Sequence, residues 1–300
     1  IIDQEDCLLA QPVCRDIIHI TKEFLEEFGI EPYDEQSHKG LVRHLLIRNG
    51  YFTGQIMVCV IINGTKLPHQ EEFIRRMCEI PGMTSISLNI NRERTNVIMG
   101  KQMVWLYGTP YIEDKIGDIT YQISPLSFFQ VNPLQTKKLY DTALSFAGLT
   151  GNETVWDLYC GIGTISLFLA RHAKMVYGVE IVEPAIQDAR KNAQANGISN
   201  VQFFVGKAEE VLPKKYEEEA VKADIIVVDP PRKGCDETLL QTITAMLPKR
   251  IVYVSCDSAT LARDLKYLTE KGYEVKKVQP VEMFAMGGHV ETVVQMVYDG

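Results

Sequence analysis

Apolar residues recur along this chain in two rhythms, one helical and one strand-like, and their arrangement changes near residue 125. Over residues 15–28 (RDIIHITKEFLEEF) the apolar positions keep helical spacing and stop at Gly29, which predicts an amphipathic helix. Residues 41–47 and 55–62 read as strands joined through Asn49-Gly50 and Gly54, a predicted hairpin. A helix near 70–78, a strand near 84–90 and further short strands to about 123 complete a small α+β unit. Its residues carry no constellation with a chemical reading.

After Ser124-Pro125 strands and helices alternate. Asn132-Pro133 opens a helix, with Asn at the N-cap and Pro at the first helical position. Short apolar runs at 154–158, 175–180, 201–205, 224–229 and 250–255 predict strands, and helical stretches fall at 165–171, 184–196, 237–246 and 258–271. Apolar strands separated by crossover helices imply a parallel sheet covered on both faces. The end departs from this plan: 273–279 and 290–297 flank Gly287-Gly288 and read as two late strands. The expectation is an α/β protein, with a Rossmann-like domain over 127–300 whose parallel sheet ends in a terminal strand pair, preceded by a smaller α+β domain over 1–126.

Composition narrows the class. The chain has 300 residues, 46% hydrophobic and 23% charged, which excludes a wholly disordered or fibrous protein. No apolar run approaches the roughly 18–20 residues that span a bilayer, so an integral membrane protein is not expected. With 31 Lys and Arg against 39 Asp and Glu, the formal charge is -8. Such a balance argues against gripping nucleic acid over the whole surface while leaving room for local basic clusters. The cysteines (Cys7, Cys14, Cys59, Cys78, Cys160, Cys235 and Cys256) are odd in number, show no C-x-x-C pair and follow no signal peptide, the pattern of a cytoplasmic chain with reduced thiols. The chain opens at Ile1 without Met, straight into structured-looking sequence, as a piece of something longer would.

Candidate chemistry gathers at predicted strand ends. The first parallel strand runs into Asp157-Leu158-Tyr159-Cys160-Gly161-Ile162-Gly163-Thr164, where glycines let the backbone approach a ligand at a helix N-terminus. A nicotinamide fingerprint wants a third glycine where Ser166 stands. Glu180 ends the next strand, where a carboxylate accepts hydrogen bonds from ribose hydroxyls. Together these favour an adenosine-containing cofactor and leave NAD and S-adenosylmethionine both open. Asp229-Pro230-Pro231-Arg232 closes the fourth strand. Consecutive prolines fix φ and remove two donors, giving a rigid shelf from which Asp229 could meet a base N–H and Arg232 a carbonyl or phosphate. Standing alone, such a stretch is an ordinary turn with a solvated Arg. Amino-group methyltransferases share the D-P-P start but place an aromatic residue where Arg232 stands.

Cys256 follows the fifth strand. Most free cysteines are small buried hydrophobes, but Tyr159, Glu180, Asp229 and Cys256 all follow strand ends on one edge of the predicted sheet. Cys160 shares that edge as the rival nucleophile, although its place in the glycine turn points to cofactor packing. Glu291 enters an apolar strand from a glycine loop and reads either as a base or as an edge charge that discourages strand addition. His289 reads as a hydrogen-bonded loop residue, because no Cys/His cluster surrounds it.

These residues together resemble the RNA uracil-C5 methyltransferases, S-adenosylmethionine-dependent enzymes of 23S rRNA and tRNA. Asp229–Gly234 is similar to the family's D-P-P/A-R-x-G stretch, and Ile251–Thr260 to I-V-Y-x-S-C-N-x-x-T. Glu282–Glu291 is similar to D-x-F-P-x-T-x-H-x-E, and Ser127–Asn132 to the F-x-Q-V-N element. The likeness covers about residues 127–300, with 1–126 more weakly like the family's central domain. It implies a class I methyltransferase fold and S-adenosylmethionine as cofactor, contacted by Gln130, Tyr159, Gly161, Gly163, Glu180 and Asp229. It further implies Cys256 as nucleophile, Glu291 as general base, Asp229 and Arg232 on the uracil, and RNA as partner, rRNA ahead of tRNA. No metal is implied, nor a protein partner.

The resemblance has departures. Asp257 replaces the usual Asn, Glu282 replaces Asp and Ala285 replaces Pro, while Met286 and Gly287 are also unlike the commoner residues, so the loop carrying Glu291 is expected to be set somewhat differently. The family's N-terminal RNA-binding β-barrel has no counterpart in this sequence. Ile1–Cys7 is similar to the segment that supplies one cysteine to an iron–sulfur cluster in some members; one thiolate cannot hold a cluster, so none is expected. Two other readings remain beside the resemblance, an NAD-dependent oxidoreductase and a noncatalytic RNA-binding module that keeps a cofactor fold.

Overall fold

The computed structural model describes all residues except 1–6, 8, 9, 220 and 286. The segment Ile1–Asp6, most of the stretch likened to the cluster-binding segment, therefore lies outside the described residues, as does Met286. The chain divides into two compact units. One runs to Lys115 and includes Gln122–Leu126; the other comprises Ile116–Tyr121 and Ser127–Gly300.

In the first unit, α1 (Val13–Glu27) precedes β1 (Val42–Asn49), β2 (Ile56–Ile62), α2 (Gln70–Met77), β3 (Met83–Ile90) and β4 (Gln102–Gly108). The strands form one sheet in the order β1-β2-β3-β4. β1 and β2 are the antiparallel hairpin expected from sequence, while β2 and β3 are parallel with α2 as their crossover. The apolar face of α1 buries Ile17 and Phe24, and the Phe24 ring meets that of Phe73 from α2 edge-on at 5.1 Å. Each such side chain withdrawn from water contributes about 1.5–3 kcal/mol. β5 (Ile112–Ile116) and β6 (Ile119–Ile123) pair as a two-stranded ribbon. Buried Asp114 accepts from the Tyr51 and Phe52 amides at 2.9 Å each, which fixes the β1–β2 turn.

The second unit continues with α3 (Pro133–Ala147), β7 (Thr154–Leu158), α4 (Thr164–Ala170), β8 (Met175–Glu180), α5 (Glu183–Ala195), β9 (Val201–Val205) and α6 (Ala208–Glu219). It ends with β10 (Ile225–Val228), α7 (Glu237–Met246), β11 (Arg250–Ser255), α8 (Ser258–Glu270), β12 (Tyr273–Val281) and β13 (Glu291–Tyr298). Seven strands form one sheet in the order β12-β13-β11-β10-β7-β8-β9. β7 to β11 are mutually parallel, and the terminal pair closes the sheet with β13 antiparallel to β11. This is the Rossmann-like plan expected from the sequence. The strand order reverses between β7 and β10, where such sheets part their connections to opposite faces and leave a crevice at the carboxyl edge.

Local sequence accounts for most of these elements. Asn132 caps α3 by accepting from the Gln135 amide at 3.2 Å, and β10 is four consecutive buried apolar residues. α6 was not evident from sequence, because Pro213 stands inside it and reads as a breaker. The helix forms regardless, since Ala208, Val211, Leu212 and Tyr216 keep helical spacing and pack on the core around Trp156. No helix among the described residues is long and apolar enough to cross a membrane.

Asp157 and Gln295 are buried polar residues within the strands of this sheet. Asp157 on β7 is fully buried; its Oδ2 takes a short hydrogen bond from Ser166, while its Oδ1 has no partner among the described residues. Ser166 thus occupies the position of a third fingerprint glycine because it serves this carboxyl. Burial, assisted by the charge of Glu180 and opposed by the Ser166 bonds, raises the Asp157 pKa to about 7. The folded state therefore holds a proton that the unfolded chain releases near pH 4, and this carboxyl's stabilising contribution is lost as pH rises toward 7. Asp157→Asn should gain about 1–3 kcal/mol of stability on the wild type between pH 5 and pH 8. Denaturant unfolding at both pH values checks this, and an equal difference at the two would show that the carboxyl does not titrate in that range.

Candidate active site

The carboxyl edge of the seven-stranded sheet opens onto a cavity of about 620 Å³ at the point where the strand order reverses. Tyr159, directly after β7, forms part of its wall and has a φ of 68°. That conformation costs a non-glycine residue about 1–2 kcal/mol. It is held by the neighbouring Cys160 amide, which donates to the Val179 carbonyl at 3.0 Å. Glu180, the last residue of β8, accepts from the Gly161 amide through Oε2 at 3.2 Å and from the Val182 amide through Oε1 at 2.9 Å. Each carboxylate oxygen is thus fixed by one backbone donor and keeps a further lone pair for a ligand.

The two glycines of the turn differ in role. Gly161 lines the cavity. Gly163 is not among the lining residues: it caps α4 at a φ of 81°, and a Cβ there would lie 3.0 Å from the Phe203 ring and 3.2 Å from Ala189 Cβ. It lets α4 start close against its neighbours.

Before α3, Gln130 is buried at the cavity wall and Phe128 is 73% exposed beside it. Asn132 also donates through Nδ2 to the Met283 carbonyl at 3.2 Å, tying the start of α3 to the segment that leads into β13. Asp229, Pro230, Pro231 and Arg232 follow β10 along another wall. Arg232 is exposed, and its Nη2 donates to His289 Nε2 at 2.7 Å. His289 is therefore a hydrogen-bonded loop residue, bonded to a substrate-site candidate. Among the described residues no group of three or more His, Cys, Asp or Glu is placed to hold a metal ion.

Cys256 and Glu291 share the cavity. Cys256 follows β11 in a turn made by the Ser255 hydroxyl, which donates to the Asp257 carbonyl at 2.9 Å. Asp257 caps α8, its Oδ1 accepting from the Ala259 and Thr260 amides at 3.1 and 3.0 Å. Asn caps helices as well as Asp does, so this exchange leaves the turn intact. Glu291 is buried at the start of β13, in register with Val281 of β12. Cys160, by contrast, is 4% exposed and does not line the cavity. Its thiol is held far above the ordinary range, first by burial and then by the charges of Asp157 and Glu180.

The acidic groups perturb one another. Burial, then Glu291, then Asp157 raise the Asp229 pKa to about 8. Burial raises Glu291. The Cys256 thiol is raised by burial, with Glu291 and Asp229 adding to it, while its own amide and Arg232 pull it down. A cluster of raised groups in a cleft marks a functional site. Lys207 and Glu209 also line the cavity and were missed in the sequence. The signal was available: they follow β9, and the rule that ligands bind beyond strand ends applies to that strand too.

Fold and cavity together define a Rossmann-like α/β protein with a nucleoside-sized cleft at its switch point. Residues 84–298 match the family described as tRNA (Uracil-5-)-methyltransferase. The chain is 56% identical over 294 residues to an uncharacterized RNA methyltransferase of Halalkalibacterium halodurans, covering 98% of this chain and 64% of that protein. It is 50% identical over 301 residues to one of Clostridium tetani, covering 100% and 65%. It thus spans a little under two-thirds of the length of these relatives. The crystal structure of Pyrococcus abyssi tRNA (uracil-54, C5)-methyltransferase in complex with S-adenosyl-L-homocysteine is similar at a TM-score of 0.84 and 30% identity, covering 99% of this chain and 70% of that one. The chain belongs to the tRNA (uracil-5-)-methyltransferase family. Membership sets aside the nicotinamide reading that the glycine turn left open.

The raised thiol gives a direct test. Alkylation of Cys256 by iodoacetamide should accelerate as pH rises through 7 to 9, because the thiolate fraction grows. Glu291→Gln removes a charge that raises the thiol, so at pH 8 it should speed alkylation by up to ~10-fold, the equivalent of one pKa unit. Peptide mass spectrometry reads the site; an identical pH profile in the variant would remove Glu291 from the vicinity of the thiol.

Proposed function

We propose that this chain transfers a methyl group from S-adenosylmethionine to C5 of a uridine in RNA, in the cytoplasm, through a covalent adduct at Cys256. The observation that carries this reading is a single cavity lined by Glu180 and Gly161 together with Asp229, Cys256 and Glu291. The cofactor site fits the chemistry of its donor set: Glu180, anchored by two amides, retains lone pairs for the ribose hydroxyls, and Gln130, Tyr159, Gly161 and Asp229 complete the wall. Gly163 acts in this site through packing. When bound, the cofactor supplies an electrophilic methyl group on a sulfonium.

Uracil C5 is too weak a nucleophile to take that methyl unaided. The Cys256 thiol gives up its proton to solvent as it attacks, and its sulfur adds to C6, forming an S–C6 bond and moving the C5=C6 π electrons into an enolate with carbanion character at C5. Once C5 carries the methyl group, Glu291 removes the remaining C5 proton. The released pair restores C5=C6 and expels the thiolate. A base that starts as a carboxylate of raised pKa suits this step, since it accepts the proton more readily than an ordinary one. Asp229 and Arg232 read the polar edge of the base, which must leave its stack to reach the cavity. Within this class we propose 23S rRNA as the RNA, as the sequence resemblance implies. Methyl-group mapping in a deletion strain tests this, and loss confined to tRNA would overturn that part.

Cys256→Ala should abolish both methylation and any covalent RNA adduct while cofactor binding survives. Glu291→Gln should instead accumulate adduct on ordinary uridine RNA, because elimination stalls after transfer. Denaturing gels with labelled RNA separate these outcomes; an adduct in Cys256→Ala that is lost in Cys160→Ala would move the nucleophile to Cys160.

Glu180→Ala should weaken S-adenosylmethionine binding by roughly 1–3 kcal/mol, since ribose hydroxyls lose their acceptor. Calorimetry measures it, and an unchanged affinity would refute the ribose assignment.

A further inference from the structure

Asp229 and Arg232 stand on a loop between β10 and α7 that lies outside any helix or strand. Pro230 and Pro231 bring no amide hydrogens to it. The loop is held instead from α8. Asp264, fully buried, accepts through Oδ2 from the Cys235 amide at 2.8 Å and from the Tyr253 hydroxyl at 2.6 Å, and through Oδ1 from Arg263 Nε at 2.8 Å. Arg263 Nη2 donates to the Lys233 carbonyl at 2.9 Å and the Cys235 carbonyl at 3.3 Å. Thr260 Oγ1 donates to the Arg232 carbonyl at 3.0 Å. The approach is close: at Gly234, with φ 75°, a Cβ would lie 2.5 Å from Arg263 Nη2 and 2.6 Å from Asp264 Oδ2.

The same helix begins two residues after Cys256, with Asp257 as its cap. Positions 260, 263 and 264 lie on one face of its first turns. Tyr253, whose hydroxyl also donates to Asp264, belongs to the strand that ends at Ser255, one residue before Cys256. None of these four side chains lines the cavity. Charge-assisted bonds of this kind are the stiffest available to hold a loop.

We infer that Asp264, with Arg263 and Thr260, is a positioning group that fixes the Asp229–Arg232 loop relative to Cys256. This rests on the reading of Arg232 and Cys256 given above. The face of α8 then sets where the base is read against where it is attacked.

Arg263→Gln and Thr260→Val test it without opening the core, because Arg263 is more than half exposed and Thr260 half-buried. Asp264→Asn is the conservative third variant, keeping an acceptor for the Cys235 amide. Single-turnover adduct formation with 5-fluorouridine RNA should slow ~10-fold or more in Arg263→Gln/Thr260→Val, as a small displacement of a positioned group does. Melting temperature should fall in Arg263→Gln, because buried Asp264 loses its cation, while cofactor affinity stays close to wild type. Added to Arg232→Ala, the double variant should cause a smaller further loss than it does on the wild type, since part of its effect acts through Arg232; a structural defect would multiply in full. Wild-type adduct rates, or losses that multiply in full, would overturn the inference. Should the wild type itself form no adduct, the uracil-C5 reading fails on that result alone. Amide exchange then decides the positioning separately: over 229–235 it must accelerate in Arg263→Gln while β10 and β11 stay protected, and unchanged exchange overturns it.

Discussion

A parallel sheet covered on both faces has almost no place for a polar side chain along its length, because a group buried there loses its hydration without gaining a partner. β10 obeys this completely, with four apolar residues and nothing else. Polar side chains are displaced to the carboxyl edge, where strands end and backbone amides become free to donate. Glu180, Asp229 and Cys256 all occur there, each at or just past the end of its strand. Reversal of strand order between β7 and β10 then opens the crevice into which they face. The location of the cavity follows from this solvation constraint before any ligand is considered.

The same constraint explains the electrostatics. Burial is the largest cause of the raised carboxyls, and charge repulsion adds to it at Asp229 from Glu291 and Asp157 and at Asp157 from Glu180. Asp229, Glu291 and Asp157 all show raised affinity for protons. On the wall Lys207 is engaged by Glu210 at 3.0 Å, and Arg232 turns toward His289. Lys233 lines the cavity as well, so three cations stand on the same wall as the raised acidic groups.

How much of this was legible in the sequence depended on whether the signal was local. Strand runs such as IIVV and the Asn132 cap are local, and they appear where expected. So do the strand-end residues, since the edge rule needs only strand positions. α6 was hidden because a local breaker, Pro213, outweighed a packing signal that depends on distant Trp156. Asp157 could not be distinguished from its neighbours in the turn, since its partner Ser166 looks only like a missing glycine. Gly163 looked like a cofactor contact for the same reason: the Phe203 ring that requires it lies on another strand. Asp264 was unreadable altogether, because beyond adjacent Arg263 the groups it holds are a backbone amide 29 residues away and a hydroxyl on another element.

The departures in the Glu291 loop can now be weighed against the geometry of its ends. Phe284, Ala285, Gly287 and Gly288 are exposed, whereas Met283 before them and Glu291 after them are buried. Met283 is tied to Asn132, and Glu291 is fixed by register: it faces Val281 of β12, and the next residue, Thr292, pairs with Ser255 beside Cys256. A strand register moves in whole residues, and a slip of one would turn Glu291 and every residue after it to the opposite face, disrupting the packing of buried Val293, Val294 and Met296. Substitutions at the loop tip are too weak to force that. They can alter how the tip meets a substrate, while the carboxyl stays where the sheet puts it. The geometry of Glu291 is thus set by β13, and the unusual residues Ala285 and Gly287 bear on the approach to the cleft rather than on the carboxyl within it.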